Sequence, residues 1–430
     1  MLFVFPQFPP QRERGSNSSE PWGKKLRNAN WKGGPGAGFG SDPASDPLAL
    51  RASVTCAVMH KFDIFRFKTR LADYNYTLGG RMFHHLQQAV VSCQEAAYPT
   101  VVKLPNNHLI CGYSSGGGAN ISGGTHWSSS TDDGASWNYG GMILPPQQDP
   151  KTANSLRLSL TREGNILAYG QRKYLEHGTQ FGRCPNEAVF CTAGVSSMDW
   201  STACIIPHSF ACPVEVSNPI VELSDGRWLA PAALLSSPER LGEKVIAWES
   251  ADKGASWENY VTVMADPLGK KGFFEQKVIE TEPGIVYAFA WTVQLGSYRN
   301  LPNSFSFSED SGRTWQGPFE MELNGQTMTP CWLGGNNFLL IYNYRNQPHG
   351  IKIAYVEITG SHAKIIWDEF LWHPQSARQS DKEGIRTLED LAFGLPSLIR
   401  LGQQKFMAVF WAMDQGHCLI RSMTFVINSL

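Results

Sequence analysis

The chain holds 430 residues, 42% of them hydrophobic and 12% aromatic, enough for a large core in one big domain or a few smaller ones. Its 37 basic and 38 acidic residues leave a formal net charge of -1, which argues against the basic face that nucleic-acid binding requires. No run of about 18 apolar residues is present, so no segment reads as a membrane-spanning helix.

Residues 1–58 are rich in Pro, Gly, Ser and Asn and show no sustained hydrophobic period. Such a stretch buries too little apolar surface to offset the entropy of ordering it, and it is expected to be a disordered tail. Its first residues are apolar only from Leu2 to Phe5 before Pro6 intervenes, short of the roughly 7–15 residues of a secretory core. Nine cysteines, an odd count spread from Cys56 to Cys418, suit reduced thiols and lean the compartment toward the cytoplasm without fixing it. Cys184, Cys191, Cys204 and Cys212 cluster but lack paired C-x2-C spacing, so no metal is expected there. An isolated strand-like segment follows at residues 62–68.

From about residue 82 the texture becomes regular. Stretches such as YPTVVKLPNNHLICGY, NPIVELSDGRWLAP, EQKVIETEPGIVYAFAW and GLPSLIRLGQQKFMAVFW each read as strand, polar turn, strand. A helical pattern appears only near residues 380–390. The units begin near Tyr98, Asn154, Asn218, Glu275, Thr327 and Leu395.

One motif, S-x-D-x-G-x-[ST]-W, occurs at Ser130–Trp137, Ser250–Trp257 and Ser308–Trp315, with a degraded copy at Ser197–Trp200. With Trp367, the tryptophans fall at steps of 63, 57, 58 and 52 residues, the period of a repeated supersecondary unit. In the motif, Asp accepts backbone N–H bonds in a tight turn, Gly supplies the positive φ, and the final Trp packs between sheets. Asp132, Asp252 and Asp310 therefore read as staples, away from any site. The expected fold is all-β: a six-bladed β-propeller of four-stranded antiparallel blades over residues 59–430. Segment 62–68 is expected to join the last blade and close the ring, removing the exposed sheet edges.

These repeats and their spacing resemble the Asp-box (BNR-repeat) turns of the sialidase superfamily. Two further stretches, Tyr344–Ile351 and Asp390–Ser397, are similar to patterns of sialidase-like propellers whose substrates are largely unknown. The resemblance implies glycoside hydrolysis through an oxocarbenium-like transition state, with three arginines pairing the sugar's carboxylate, a tyrosine nucleophile activated by a Glu, and an Asp acid/base. Of these roles, the resemblance carries Glu275 onto the Glu and Arg345 onto an arginine. Ala97 stands where the first arginine belongs, Trp291 where the second does, the loop GGGANISGGTHW holds no acid, and Leu395-Pro396-Ser397 offers no tyrosine.

Propeller ligands bind where the inner strands converge, so polar residues at those strand ends are the candidates. Glu275 and Asp390 are the candidate acid/base pair. Arg345 and Tyr344 close one blade's second strand, Arg172 closes another, and Glu95 precedes the first unit; these four are candidates to grip substrate, with forked guanidinium geometry suited to carboxylate or hydroxyl oxygens. His349 and His417 stand alone in sequence and read as loop histidines; Trp291 and Trp411 are open to core packing or sugar stacking. The leading expectation is a glycoside hydrolase acting on a sugar other than sialic acid, with a carbohydrate partner and no cofactor. A non-catalytic glycan- or protein-binding propeller and a polysaccharide lyase are the alternatives, and fold analogy cannot choose among the three.

Overall fold

The computed structural model describes residues 82–118, 121–178, 181–257, 259–374 and 392–428. The tail expected over residues 1–58, the strand-like segment at 62–68, the helical pattern at 380–390 and Asp390 lie outside the described residues. Within them the chain is almost wholly strand, with one turn of 3-10 helix at Leu175–His177.

Six antiparallel sheets form the blades of a β-propeller. The first strand in sequence, β1 (Phe83–Ser92), belongs to the last blade. Blade one runs β2 (Ala96–Lys103), β3 (Leu109–Ser115), β4 (Thr125–Ser130) and β5 (Asn138–Leu144) from axis to rim. Blade two runs β6 (Thr152–Leu160), β7 (Ile166–Tyr174), β8 (Asn186–Ala193) and β9 (Cys204–Ile205). In blade three the inner strand is split into β10 (Val214–Glu215) and β11 (Val221–Glu222), both pairing with β12 (Trp228–Leu235), ahead of β13 (Leu241–Ser250) and β14 (Asn259–Ala265). Blade four comprises β15 (Lys271–Glu282), β16 (Ile285–Gln294), β17 (Asn300–Ser308) and β18 (Gln316–Glu320). Blade five comprises β19 (Gln326–Gly334), β20 (Asn337–Tyr344), β21 (Gly350–Thr359) and β22 (His362–Trp372). Blade six comprises β23 (Phe393–Arg400), β24 (Lys405–Asp414) and β25 (His417–Ile427), with β1 outermost.

The ring is thus closed by β1, with Phe83 opposite Ile427 and Ser92 opposite Ile420. Its pairs His84-His85 and Gln87-Gln88 hide the strand in sequence, yet Phe83 is fully buried among apolar residues of blades five and six. Middle strands are buried on both faces: all of β12, WLAPAALL, is inaccessible, because each blade is sandwiched between two others. Leu229 and Ala233 of blade three, for instance, pack with Val286 and Ala288 of blade four.

The three repeated turns share one bonding pattern. Asp132 Oδ1 accepts the Ser136 N–H at 3.0 Å, its Oδ2 accepts the Ser136 hydroxyl at 2.6 Å, and the Gly134 N–H donates to Ser130 Oγ at 2.8 Å. Asp252 and Asp310 repeat these bonds in blades three and four. Each turn reaches back to the preceding blade. Trp137 Nε1 donates to Ser422 of blade six at 3.2 Å, Trp257 meets Phe190 of blade two edge-on at 5.9 Å, and Trp315 packs into the cluster holding Leu229 of blade three. The turns link the third strand of a blade to the fourth, so antiparallel order puts them on the face opposite the starts of the inner strands.

Candidate active site

The starts of the inner strands share a backbone device. In β2, β15, β19 and β23 the ladder skips two residues, at Tyr98-Pro99, Glu275-Gln276, Thr327-Met328 and Leu395-Pro396. The first residue of each pair is left-handed, with φ of 59°, 50°, 50° and 46° respectively. L-residues adopt this conformation at a cost of about 1–2 kcal/mol, and for β-branched Thr327 it is a genuine outlier. Such bulges re-aim side chains and cluster beside active sites. Four of them at one end of the axis make that end the candidate site.

The bulge in blade four frees the Glu275 N–H from its ladder, and Glu215 Oε2 of blade three accepts it at 3.1 Å. The opening between β10 and β11 supplies the rest of the clamp. Ser217 O accepts a hydrogen bond from Lys277 Nζ, and Asn218 Oδ1 accepts the Val278 N–H at 3.1 Å. On the other side, the Thr327 hydroxyl of blade five donates to Glu275 Oε2. Arg345 follows β20 and is held by Gln326 Oε1 at 2.9 Å and by Phe393 O at 3.0 Å. Arg157 of β6 is 5% exposed, donates to Ser155 Oγ at 2.6 Å, and stands 5.2 Å from the Tyr98 ring centre.

Burial sets the electrostatics. It pushes the Glu215 carboxyl up to about 7, with the charge of Glu275 adding to the effect. Glu275 is raised by burial as well, but Arg345, Lys277 and Arg157 oppose the shift and favour its ionised form. Burial, then the charge of Arg157, brings Lys277 down to about 8; burial brings Arg157 and Arg345 to about 10. Lys173 is lowered by burial, with Cys184 and Glu215 acting in the opposite sense. The Tyr98 phenol is held protonated by burial and by Glu275. Among the described residues, none of Arg157, Lys173, Lys277 and Arg345 makes an ion pair with a carboxylate. The centre therefore gathers four cations against Glu215 and Glu275. Tyr98, Lys173, Glu275 and Arg345 remain partly exposed, so the cluster is open to solvent.

Of the residues singled out from sequence, Glu275 and Arg345 meet in this cluster. Tyr344 lies one residue outward, with Lys352 Nζ 5.1 Å from its ring centre. Arg172 is drawn aside into an ion pair with Glu187 at 2.6 Å. Strand alternation explains the difference, since the next residue, Lys173, takes the opposite face and senses Glu215 and Arg157. Glu95 is not among the residues that meet at the central cluster: it sits at the seam of blades one and six, where its carboxylate meets His417 Nδ1 at 2.6 Å and the Cys418 N–H at 3.1 Å. Its carbonyl accepts the N–H groups of Gly116 and Gly117, tying down the glycine-rich loop. Trp291 and Trp411 are core residues, 2% and 0% exposed, with no face free for a sugar.

Glu215, Lys277, Arg157, Lys173 and Tyr98 were not anticipated as site residues. A signal for three of them is present: Glu215 in PVEVSN and Arg157 in NSLRLSL are single charges within otherwise apolar or neutral inner strands, and Lys277 in EQKVIE lies two residues from Glu275. Each lies within three residues of a position where a unit was expected to begin.

The fold is that of a six-bladed β-propeller of four-stranded antiparallel blades. No protein-family model matches the chain, and no curated protein matches it. Among solved structures it is similar to a Dyadobacter fermentans protein of unknown function, at 19% identity and TM-score 0.64, covering 81% of this chain and 100% of that one. It is similar to the intramolecular trans-sialidase of Ruminococcus gnavus, at 11% identity and TM-score 0.56, covering 81% and 99%. A third is the α-L-arabinanase of Penicillium chrysogenum solved with arabinobiose, at 13% identity and TM-score 0.55, covering 81% and 99%. At such identities the likeness establishes the fold alone.

Proposed function

We propose that the protein is a glycoside hydrolase whose substrate sugar carries a carboxylate, with Glu215 as general acid and Glu275 as the second carboxyl. The observation that carries this reading is the juxtaposition of Glu215 with Glu275 amid cations that lack ion-pair partners. Buried charge without an ion-pair partner is costly, so the buried Arg157 and Lys277, together with the partly exposed Lys173 and Arg345, are suited to an incoming anion. Arg345 and Arg157 offer planar, forked donors for a sugar carboxylate.

The two carboxyls are separated by little more than one glutamate side chain and one hydrogen bond, which is compatible with the roughly 5–9.5 Å spacing of glycosidase pairs. Burial raises both carboxyls, Glu215 to about 7, and at Glu275 three cations oppose the shift, an asymmetry that suits Glu215 to the acid role. Glu215, protonated up to about pH 7, holds its proton ready for the departing glycosidic oxygen while its other oxygen accepts the Glu275 N–H. Glu275, whose ionised form three cations favour against the effect of burial, attacks the anomeric carbon or takes a proton from the water that does. Neither role requires a cofactor.

The repeated turns, read as Asp boxes, support a sialidase-like ancestry, but the tyrosine, two arginines and Asp of that chemistry are absent from their places. A lyase reading rests on Tyr98 standing against Arg157, since lyases use a tyrosine base beside a cation. The environment of Tyr98 favours the neutral phenol, which suits a hydrogen-bond donor better than a base.

The test is a panel of chromogenic glycosides, uronides included, and acidic polysaccharides offered to the purified protein. Glu275→Ala is expected to abolish turnover and Glu215→Gln to lower it by roughly 10²–10⁴, each with an unchanged circular-dichroism spectrum; full activity in Glu275→Ala eliminates the assignment. A product with new ultraviolet absorbance identifies the lyase instead.

A further inference from the structure

Outward from the centre, on the same face, a cavity of about 440 Å³ lies between blades four and five. Its volume falls in the roughly 300–1,000 Å³ range of small-ligand pockets. Asp368 anchors its floor, accepting the Tyr342 hydroxyl at 2.7 Å and a hydrogen bond from Lys352 Nζ. Around it stand Arg299, Glu322, Asn324 and Asn346, all exposed, and none of these four side chains makes a hydrogen bond or ion pair among the described residues.

We infer that this cavity is a second sugar subsite, so that the protein takes an acidic oligosaccharide or polysaccharide and not a single terminal sugar. The inference rests on the proposed function for the central cluster and extends it. A polar floor whose own bonds are satisfied, ringed by exposed amides and charges of both signs that make no bonds within the chain among the described residues, matches a hydroxylated ligand with one carboxylate. Apolar or purely cationic ligands would leave those groups unpaired. Arg299 is the group placed to meet the carboxylate.

The cavity also neighbours the centre along the chain. Tyr344 lines it, and the next residue, Arg345, belongs to the central cluster. Asn324 lines it too, and two residues on, Gln326 holds Arg345. Consecutive Cα atoms are about 3.8 Å apart, so both routes cover one or two residues of chain, close to the span of one sugar ring.

The experiment is calorimetric binding of oligouronates of one to six sugars, prepared from pectin and from alginate, to the wild type and to Arg299→Ala/Asn324→Ala. Both substituted residues are exposed and lie outside the catalytic cluster. Wild type is expected to bind the trimer roughly tenfold or more tighter than the monomer, as one or two added hydrogen bonds allow. The double variant is expected to keep the monomer affinity and lose most of that gain. Monomer binding with no dependence on length, or a length dependence untouched by the double variant, overturns the inference and leaves the central reading standing. Absence of binding by every oligomer overturns both.

Discussion

The carboxylate of Glu215 and the backbone N–H of Glu275 meet across 3.1 Å, joining two blades at the propeller axis. The bond exists because one residue in β15 turns left-handed and releases its N–H, and because β10 stops where its last side chain can reach it. The strain of the bulge and the placement of the acid are thus one arrangement.

Turnover should report the acidity of Glu215. Activity that needs its proton falls as pH rises through about 7. Glu215→Gln should lower kcat by roughly 10²–10⁴, the usual worth of a positioned acid, and the residual rate should lack that alkaline limb. A pH–rate profile of the two proteins checks this. The same shift affects stability. A carboxyl raised above its ordinary 4.5 stabilises the fold fully below that pH and loses the contribution as pH rises through about 7. Wild type should therefore lose more thermal stability than Glu215→Gln between pH 4.5 and pH 8.

Gly394 separates binding from folding. A Cβ there would stand 2.7 Å from Arg345 Nη2 and 3.0 Å from Trp411 Nε1. The closer neighbour is the tip of a long side chain, so Gly394→Ala should fold and displace Arg345. A rise of roughly tenfold or more in KM is expected, as for loss of a charge-assisted bond, with a melting temperature within a few degrees of wild type. Kinetics and a thermal melt decide it; an unchanged KM would show that Arg345 does not contact substrate.

Thr327 should act through Glu275. Thr327→Val keeps the β-branched shape and the strained backbone but removes the hydroxyl that donates to Glu275 Oε2. Activity should drop roughly tenfold, in keeping with one hydrogen bond to a charged group. Thr327→Ser, which retains the hydroxyl, should recover most of it. Equal activity in both variants would make the hydroxyl irrelevant.

The repeated turns should matter for stability only. Burial opposes it, but bonds from Thr314 and Ser308 hold the Asp310 carboxyl down to about 2. A depressed carboxylate stabilises the fold above its ordinary pKa near 4 and loses that contribution as pH falls through about 2. Asp310→Asn should melt below wild type at pH 7, and the difference should shrink as pH falls from 4 toward 2. Its kcat should match wild type, because the turn lies on the face opposite the site.

The architecture was legible because its signals are local and repeated. Tight turns with fixed Asp, Gly and Trp positions mark three blades, and strand pairs in phase with them mark the others, without knowledge of their neighbours. The positions expected to start units, Tyr98, Glu275, Thr327 and Leu395, are the left-handed bulge residues themselves. The site was less legible because it is an intersection. Glu215 becomes the partner of Glu275 only when a blade 60 residues earlier is set beside it. Glu95 looked equally available until the ring closed and delivered His417 to it. Arg172 and Lys173 differ only in which side of a strand they occupy, and short, evenly polar strand ends do not declare their facing.

The pairing of Phe83 with Ile427 makes blade six a chimera of sequence-distant strands. Each other blade can assemble from neighbouring hairpins, whereas this one waits on a loop spanning all five. Non-local closure of this kind slows folding and makes the joint vulnerable. Unzipping β1 from β25 would bare a sheet edge, a template for another chain, so the same joint that completes the barrel of blades is where self-association should begin.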